Sequence, residues 1–486
     1  MKRLFLPLAL IFPLAACAPM RDGPPAATAL EPAALALQAQ PGMTWPDQRW
    51  WRRYGDEQLD AVIDTALTGS PDMAVAESRL RQAQAAADAA QAPLWPSAQA
   101  GYQQTRQRYS ATYIYPEPLG GSVGSDARLA LDASYELDLW HKNRSALQAA
   151  RSRAEAARAE AQWAHNVLVL AIVQAYADLQ NAYAQREVLR RSLKRADEVL
   201  ALTRGRFNAG LDTQVEVRQA EAMHADTQVQ SSQVEADIAR LNNQLAALRG
   251  ASPSASRPLL AATLRPPGQL LPEQIPLELL GRRPDIAAAR WQAEATGAEV
   301  DVAKKRFYPN VNLTAFAGML TLGTGMLFDH ASRMAGIGPA ISLPLFEGGR
   351  LNAELGAARA RRDEAIAHYN QAVLTGVREV ADALDGLRLL AREAEHQHAA
   401  RQATQSAYDL ALDRYRAGLG NYLTVLAAQS GVLEQDRRDT ALAARARRLD
   451  AALATALGGG YDAAATNSEA DAAGSATDAT ASGQGD

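Results

Sequence analysis

The pattern of apolar and polar positions changes period once between Asp126 and Gly250. Leu129, Leu131, Ala133, Tyr135, Leu137 and Leu139 alternate with Arg128, Ala130, Asp132, Ser134, Glu136 and Asp138. Strict alternation predicts a β-strand with one apolar and one polar face. Asn143 then offers a helix N-cap. From Leu168 the positions Leu168, Ile172, Ala175, Leu179, Ala182, Arg186, Leu189, Leu193, Ala196, Leu200, Thr203 and Phe207 follow steps of four and three. That is a coiled-coil seam, interrupted only by Arg186 and Thr203. No proline or glycine falls between Trp140 and Arg204. A helix from Arg144 to Phe207 would span roughly 95 Å at about 1.5 Å per residue. Phe207-Asn208-Ala209-Gly210-Leu211 closes it, and a returning helix has its seam at Val234, Ile238, Leu241, Leu245 and Leu248.

The same unit occurs a second time. Pro71-Asp72 matches Pro284-Asp285, and Trp95-Pro96 matches Tyr308-Pro309 at the same shift. Leu139-Trp140 matches Leu345-Phe346, and the tip Arg206-Phe207-Asn208-Ala209-Gly210-Leu211 matches Arg414-Tyr415-Arg416-Ala417-Gly418-Leu419. The second seam reads Val373, Val377, Val380, Leu384, Leu387, Ala391 and Ala394. A repeat this long is a duplicated domain rather than a short-period solenoid. The expected divisions are 1–16, a signal peptide; 17–44, a tether; 45–250 and 277–460, the two copies; 251–276, a proline-rich linker; and 461–486, an acidic tail of disordered composition.

The first residues carry Lys2 and Arg3, an apolar run from Leu4 to Leu14, then Leu14-Ala15-Ala16-Cys17. This is a secretory signal, too short for a membrane span. Its last four residues resemble a bacterial lipobox, which would make Cys17 the lipidated first residue of the mature chain. Further strands are expected at Ser97–Tyr109, at Val311–Met319 and at Ile337–Leu345. The last two alternate apolar residues against Asn310, Asn312, Thr314, glycines, Ala340 and Ser342.

Four amphipathic strands of about ten residues suit an outer-membrane barrel. No run of about eighteen apolar residues exists to make a membrane helix. Lipid leaves no hydrogen-bond partner for an open sheet edge, so the barrel must close. Four strands are too few, since known barrels start at about eight. Three copies would supply twelve, with Asp132, Glu136 and Asp138 lining a water-filled lumen. The net charge of −4 gives no basic field for nucleic acid. A single cysteine excludes disulfides and thiolate metal clusters within one chain. His396 and His398 are two apart, on different helix faces, and make a poor metal pair. No phosphate loop or nucleophile turn is present, so the expectation is a non-enzyme without cofactor or metal.

Ile275 to Ile286, containing Arg282-Arg283-Pro284-Asp285-Ile286, together with the paired Ala-Gly-Leu tips and Leu343-Pro344-Leu345-Phe346-Glu347-Gly348-Gly349, resembles the TolC/OprM/NodT family of outer-membrane efflux lipoproteins. The resemblance runs over Trp45 to Leu457. It implies an α+β membrane protein: a homotrimer with a twelve-stranded outer-membrane β-barrel, four strands per chain, continued by a long periplasmic α-helical coiled-coil tunnel. It implies work with an inner-membrane pump and a periplasmic adaptor. The tip residues Phe207, Asn208, Ala209, Gly210 and Leu211, with Tyr415, Arg416, Ala417, Gly418 and Leu419, would face that adaptor. Family members narrow this end partly with acids after the second tip; here that stretch has none, and copy one offers Asp212 and Glu216. These two are either an acidic gate or helix-start residues favoured by the macrodipole. Small-molecule efflux, type I protein export and a non-channel scaffold all remain compatible with the pattern. The lipobox and the Arg-Arg-Pro-Asp-Ile run favour efflux.

Overall fold

The computed structural model describes residues 20–21, 23–24, 26–30, 45–114, 116–255, 257–264 and 279–461. Cys17, the expected signal peptide, most of the expected tether, half of the linker, the apolar lead-in Ile275–Glu278 and the expected tail beyond Tyr461 lie outside them. The element order is α1 (Glu57–Gly69), α2 (Pro71–Gln91), β1 (Ser97–Arg108), β2 (Val123–Glu136), α3 (Lys142–Asn208), α4 (Gln214–Leu248), α5 (Leu279–Arg282), α6 (Pro284–Lys305), β3 (Asn310–Leu322), β4 (Arg333–Ser342), α7 (Arg350–Arg416) and α8 (Tyr422–Ala456). α3 and α7 each have 67 residues, and α4 and α8 each have 35. No described helix is long and apolar enough to cross a membrane. The chain forms two compact units: Met1–Ala29, Leu80–Ala157 and Ala289–Tyr369; and Leu30–Arg79, Arg158–Ala288 and Asn370–Asp486. Each draws residues from both sides of the linker.

The first unit holds one antiparallel sheet in the order β1-β2-β3-β4. Beneath it Val300, Ala303 and Phe307 of α6 pack against Leu351, Leu355 and Ala358 of α7. β2 ends at Glu136, earlier than alternation suggests. Asp138 is therefore not a strand residue, and its expected place on the lumen wall does not hold. Its carboxylate accepts the N–H groups of Asn143 (3.0 Å) and Arg144 (2.9 Å). It stabilises the start of α3, the task expected of Asn143, which instead lies inside the helix. β4 likewise stops at Ser342, leaving Leu343 and Leu345 beyond it.

The second unit is built on the predicted seam. Leu168, Ile172, Ala175, Leu179, Ala182 and Leu189 are buried with Val234, Ile238, Leu241 and Leu245 of α4 and with Trp50, Trp51, Leu59 and Ile63. Thr203 is fully buried because its hydroxyl bonds back to the Val199 carbonyl, 2.8 Å away. In α7 the seam holds at Val373, Val380, Leu384 and Leu387 but continues to Leu390; Ala391 and Ala394 are exposed. A stretch with no large apolar residue, Ala391 to Ala400, gives the helix nothing to bury there.

Arg283 of the Arg-Arg-Pro-Asp-Ile run is fully buried in this unit. It pairs with Asp285 (2.6 Å) and Glu379 (2.9 Å), donates to the Ala456 carbonyl (3.2 Å) and stacks over Trp163 at 5.1 Å. Burial opposes its charge, but the bonds to Asp285 and Glu379 outweigh that and raise its pKa. The adjoining C-terminus of α8 turns through Gly458, Gly459 and Gly460, all at positive φ (99°, 59° and 86°). A Cβ on Gly458 would lie 1.8 Å from the Arg282 carbonyl oxygen, and one on Gly460 2.4 Å from the backbone of Asp47 and Gln48.

Gly458→Ala therefore combines a left-handed backbone with a main-chain collision. It is expected to cost more than about 2 kcal/mol. Gly356→Ala, in the interior of α7 with open space at its Cβ, is expected to be neutral or to stabilise by about 0.5–1 kcal/mol. Urea unfolding followed by circular dichroism measures both.

Candidate functional site

Two places carry the functional expectations, the sheet in the first unit and the helix tips in the second. In the sheet, the register aligns the faces read from single strands. Leu129, Leu131, Ala133 and Tyr135 stand opposite Met319, Ala317, Ala315 and Leu313. Those align with Arg333, Ala335, Ile337 and Pro339 on β4, while Ala98, Ala100 and Tyr102 of β1 complete the rows. Directly opposed residues share a face, so this band of the sheet is apolar apart from Arg333, and beyond it the same face carries Gln104, Arg106, Ser125 and Thr321. The band from Val311 to Met319 covers roughly 27 Å at about 3.4 Å per residue, near the ~25 Å apolar band of an outer-membrane barrel.

The opposite face carries Gln99, Asp132, Thr314, Ser134, Asn312 and Glu136. Two of its acids, Asp132 and Glu136, are compensated locally. Arg128 binds Asp132 through two nitrogens at 3.0 and 2.5 Å, and Lys142 meets Glu136 at 2.6 Å. Phe316, Leu320 and Leu322 also belong to this face, which alternation at Asn310, Asn312 and Thr314 did not foretell. Where strands meet helices, Trp140 stacks on Tyr308 at 5.1 Å and donates its indole N–H to the Pro309 carbonyl (2.9 Å). Both rings border a cavity of 450 Å³ that also touches Glu136, Lys305 and Arg350. Trp95, Leu139, Leu345 and Phe346 are exposed at the equivalent junctions. Exposed aromatic residues at strand ends match the girdles of membrane barrels.

The two tips share one geometry. Gly210 N–H donates to Phe207 O, and Leu211 N–H to Arg206 O, both at 2.9 Å. Gly418 and Leu419 repeat this with Tyr415 and Arg414, at 3.1 and 2.8 Å. Each is a Schellman closure with glycine at positive φ, 74° and 75°. The returning helices start at true caps. Thr213 and Glu216 form a reciprocal capping box, and Asn421 accepts the Thr424 N–H at 3.0 Å. Hydrogen bonding from Thr213 holds the Glu216 carboxyl below its ordinary pKa.

Asp212 is nearly buried. It is gripped by Arg206 (2.9 and 3.3 Å) and by the Tyr415 hydroxyl. Arg206 also lies over the Tyr415 ring at 4.6 Å and donates to the Tyr415 carbonyl (3.1 Å). Burial and the Asp212 carboxylate push the Tyr415 hydroxyl above its usual pKa, and burial pushes Tyr422 up to about 12. Tyr415 is 1% exposed. It is thus an internal clamp joining the two tips, not the partner-facing residue expected from its place in the repeat. The outward residues are Phe207, Leu211, Val215, Leu419 and Leu423. Asp212 and Glu216 both have local partners, which favours the helix-start reading over a ring of free acids.

A further feature had no periodic signal. Residues of the supposed tether are strapped to α7: Arg21 N–H donates to Asn352 (3.0 Å), Arg359 donates to the Arg21 carbonyl (2.8 Å), and Ala27 N–H donates to Asp363 (3.2 Å). In the other unit Leu30 N–H donates to Asn370 (2.8 Å). The spacing of Asn352, Arg359, Asp363 and Asn370 in steps of seven, four and seven puts them on one helix face.

Residues 62–251 and 275–459 match the family model of the outer membrane efflux protein. The chain is 32% identical over 474 residues to the multidrug resistance outer membrane protein MdtQ of Escherichia coli O6:H1, covering 94% of this chain and 98% of the relative. It is 39% identical over 366 residues to the fusaric acid resistance protein FusA of Burkholderia cepacia, covering 73% and 68%. Among solved structures, the outer membrane protein VceC of Vibrio cholerae matches with a TM-score of 0.80 at 36% identity, over 86% of this chain and all of that one. On these grounds, and on the repeated strand and tip geometry, the chain belongs to the outer membrane efflux protein family.

Proposed function

We propose that the protein is the outer-membrane exit duct of an efflux assembly, a passive channel through which an inner-membrane pump, joined by a periplasmic adaptor, expels drugs or other toxic small molecules. One observation carries the proposal. The sheet has an apolar and a polar face and two open edges, β1 and β4, in a chain whose described helices do not span a membrane. Such a sheet is stable in lipid only when other copies close it. Three copies give twelve strands, an ordinary size for an outer-membrane barrel. The equal lengths of α3 and α7, and of α4 and α8, support two duplicated repeats, 45–250 and 277–460, whose helices continue the barrel as a coiled-coil tunnel. Relatives named for multidrug and fusaric acid resistance support small-molecule cargo.

In this reading Asp132 and Glu136 line the lumen. The tips offer Phe207, Leu211 and Leu419 to the adaptor, with Asn208, Ala209, Gly210, Arg416, Ala417 and Gly418 shaping the turns. Asp212 and Glu216 hold tip geometry, and an acidic gate there would first have to break their present bonds. Cys17 is the lipid-modified residue after the signal peptide 1–16. Arg21 is bonded to Asn352 in the first turn of α7. Four peptide steps reach at most roughly 14 Å, so the strap supports an anchor close to the β4–α7 junction.

The direct test is single-channel recording in planar bilayers. Conductance is expected, and a trimer silent even after tip-opening substitutions would overturn the duct. Leu131→Arg is expected to block assembly, because Arg facing mid-bilayer lipid costs about 2–4 kcal/mol. Asp132→Asn is expected to assemble and to lose cation preference, since it unmasks Arg128. The opposite result would invert the faces.

Leu211→Asp with Leu419→Asp keeps both glycines and alters only exposed apolar groups. Trimers of normal heat stability are expected, with lost crosslinking to the adaptor and drug sensitivity near that of a deletion strain. Full resistance would reduce the tips to turns. Cys17→Ser is expected to abolish palmitate labelling without preventing the barrel from holding any trimer that forms, because acyl chains add only about 0.8 kcal/mol per buried methylene.

A further inference from the structure

We infer that the cavity where strands meet helices is a binding site for the headgroup phosphate of a glycerophospholipid, with Lys305 as the group that meets the phosphate. The inference rests on the duct reading for its setting, in which the strand ends nearest the helices lie at the membrane surface. Its chemistry comes from the cavity wall.

The cavity holds 450 Å³, within the range of about 300–1,000 Å³ usual for small-molecule sites. One part of its wall is apolar and another cationic. Leu137, Leu139 and Leu343 belong to the apolar part, and all three are exposed. The Leu137 N–H still donates to the Val311 carbonyl (2.8 Å). The pairing of β2 with β3 therefore runs one residue past Glu136, and Leu137 keeps the apolar face. The stacked rings of Trp140 and Tyr308 border the same space. An apolar band that ends in Trp and Tyr is the profile of the layer in which lipid headgroups sit.

Lys142, Lys305, Arg306 and Arg350 supply the cations. Three of them are engaged by acids. Lys142 pairs with Glu136 (2.6 Å), Arg306 with Glu354 (2.9 Å), and Arg350 with Glu354 and Glu347. Lys305 is different. Its ammonium donates to the His141 carbonyl (3.2 Å) and to the Ser145 hydroxyl (2.5 Å), both neutral, and no carboxylate among the described residues pairs with it. An ammonium has three donors, so one is left. Asp138, also on the wall, has each carboxylate oxygen engaged by an N–H at the start of α3. The wall thus offers one cation without an acid partner beside apolar and aromatic surface. A phosphodiester carrying acyl chains satisfies both parts. Its anion meets Lys305, and its chains pass Leu137 and Leu343 onto the apolar face. A free phosphate satisfies only the first part, and a diacylglycerol only the second.

Lys305 also fastens the end of α6 to the start of α3 through His141 and Ser145. A purely structural fastening predicts no dependence on lipid, and the experiment turns on that difference.

The probe is dioleoylphosphatidylglycerol, titrated into the purified, delipidated full-length trimer and read by native mass spectrometry. Dioleoylglycerol supplies the same chains without phosphate, and inorganic phosphate the anion without chains. The phospholipid is expected to bind more tightly than either. Lys305→Gln is expected to weaken it by about 2- to 10-fold, the range of one charged contact at a partly exposed site. Lys304→Gln removes a neighbouring cation that pairs with Asp301 (3.2 Å) outside the cavity, and is expected to change nothing. Should Lys305→Gln fail to assemble, the wild-type trimer gives a second readout. Phosphatidylglycerol is expected to slow acetylation of Lys305 by a water-soluble ester, measured on peptides, and to leave Lys304 as reactive as before. Equal binding of dioleoylglycerol, full competition by inorganic phosphate, equal effects of the two lysine variants, or an unprotected Lys305 would each overturn the site. Conductance without phospholipid binding would sink the site and leave the duct. Binding by a trimer that never conducts would sink the duct and leave the site.

Discussion

The hydrogen-bonding groups along the outer edges of β1 and β4 set the terms for the sheet. Among the described residues they have no strand neighbour. Water satisfies such groups at little cost, but hydrocarbon does not, and each unpaired group there costs several kcal/mol. An apolar face running from Val311 to Met319 is useless in water, and the same strands in lipid are untenable while their edges stay open. In the proposed duct, closure with further copies resolves both demands. The same constraint explains why strands so distant in sequence pair. β2 aligns with β3 from Asp126↔Leu322 to Glu136↔Asn312, so the two hairpins make one four-stranded segment rather than two two-stranded ones with twice the exposed edge.

At the tips the backbone demand is the same, but the solution is local. A helix end leaves carbonyls and N–H groups unpaired. Gly210 and Gly418 turn the chain through positive φ, so that their own N–H and that of the following leucine cap the outgoing helix. Thr213 with Glu216, and Asn421, then cap the incoming one. The two tips differ at a single point of consequence. Asp212 follows the first Ala-Gly-Leu, and Gly420 follows the second. Asp212 can therefore reach Arg206 and Tyr415, and the first tip grips the second through an acid that the second lacks.

What could be read from sequence was whatever repeats with a period. The seam from Leu168 to Leu189 is buried as its steps of four and three require. The apolar faces of four strands, each read separately, fall into register. Errors arose where a pattern ran on by coincidence. Leu137, Asp138 and Leu139 extend the alternation of β2 beyond Glu136, yet the chain has already turned to use Asp138 as a helix cap. Ala391 and Ala394 keep the spacing of the seam without the side-chain volume to be buried. Tyr415 sits at a tip position whose copy-one counterpart, Phe207, is exposed; its burial comes from Asp212, Arg206 and the apolar cluster around Tyr422, none of which its place in the repeat announces. The strap formed by Asn352, Arg359 and Asp363 binds main chain of no particular sequence, so nothing in residues 20–30 announces it. Phe316 was hidden because it breaks the polar rhythm of β3.

The Arg-Arg-Pro-Asp-Ile run, the strongest mark of resemblance in the sequence, has a structural use in the second unit. A fully buried guanidinium is costly, and a well-packed apolar substitute for such a group is often no less stable. Stability alone is thus a weak reason for Arg283. Its bonds are specific in a way that apolar packing is not. Asp285 lies at the start of α6, Glu379 in α7, and the Ala456 carbonyl at the end of α8. One planar fork fixes three helices by angle as well as by distance. The glycines that follow α8 bring its end against the Arg282 carbonyl at a separation no side chain allows. Together they set the register of helices whose seams, being periodic, would tolerate a slip of one heptad. In an object assembled from long parallel seams, a non-periodic lock of this kind is what makes one alignment unique.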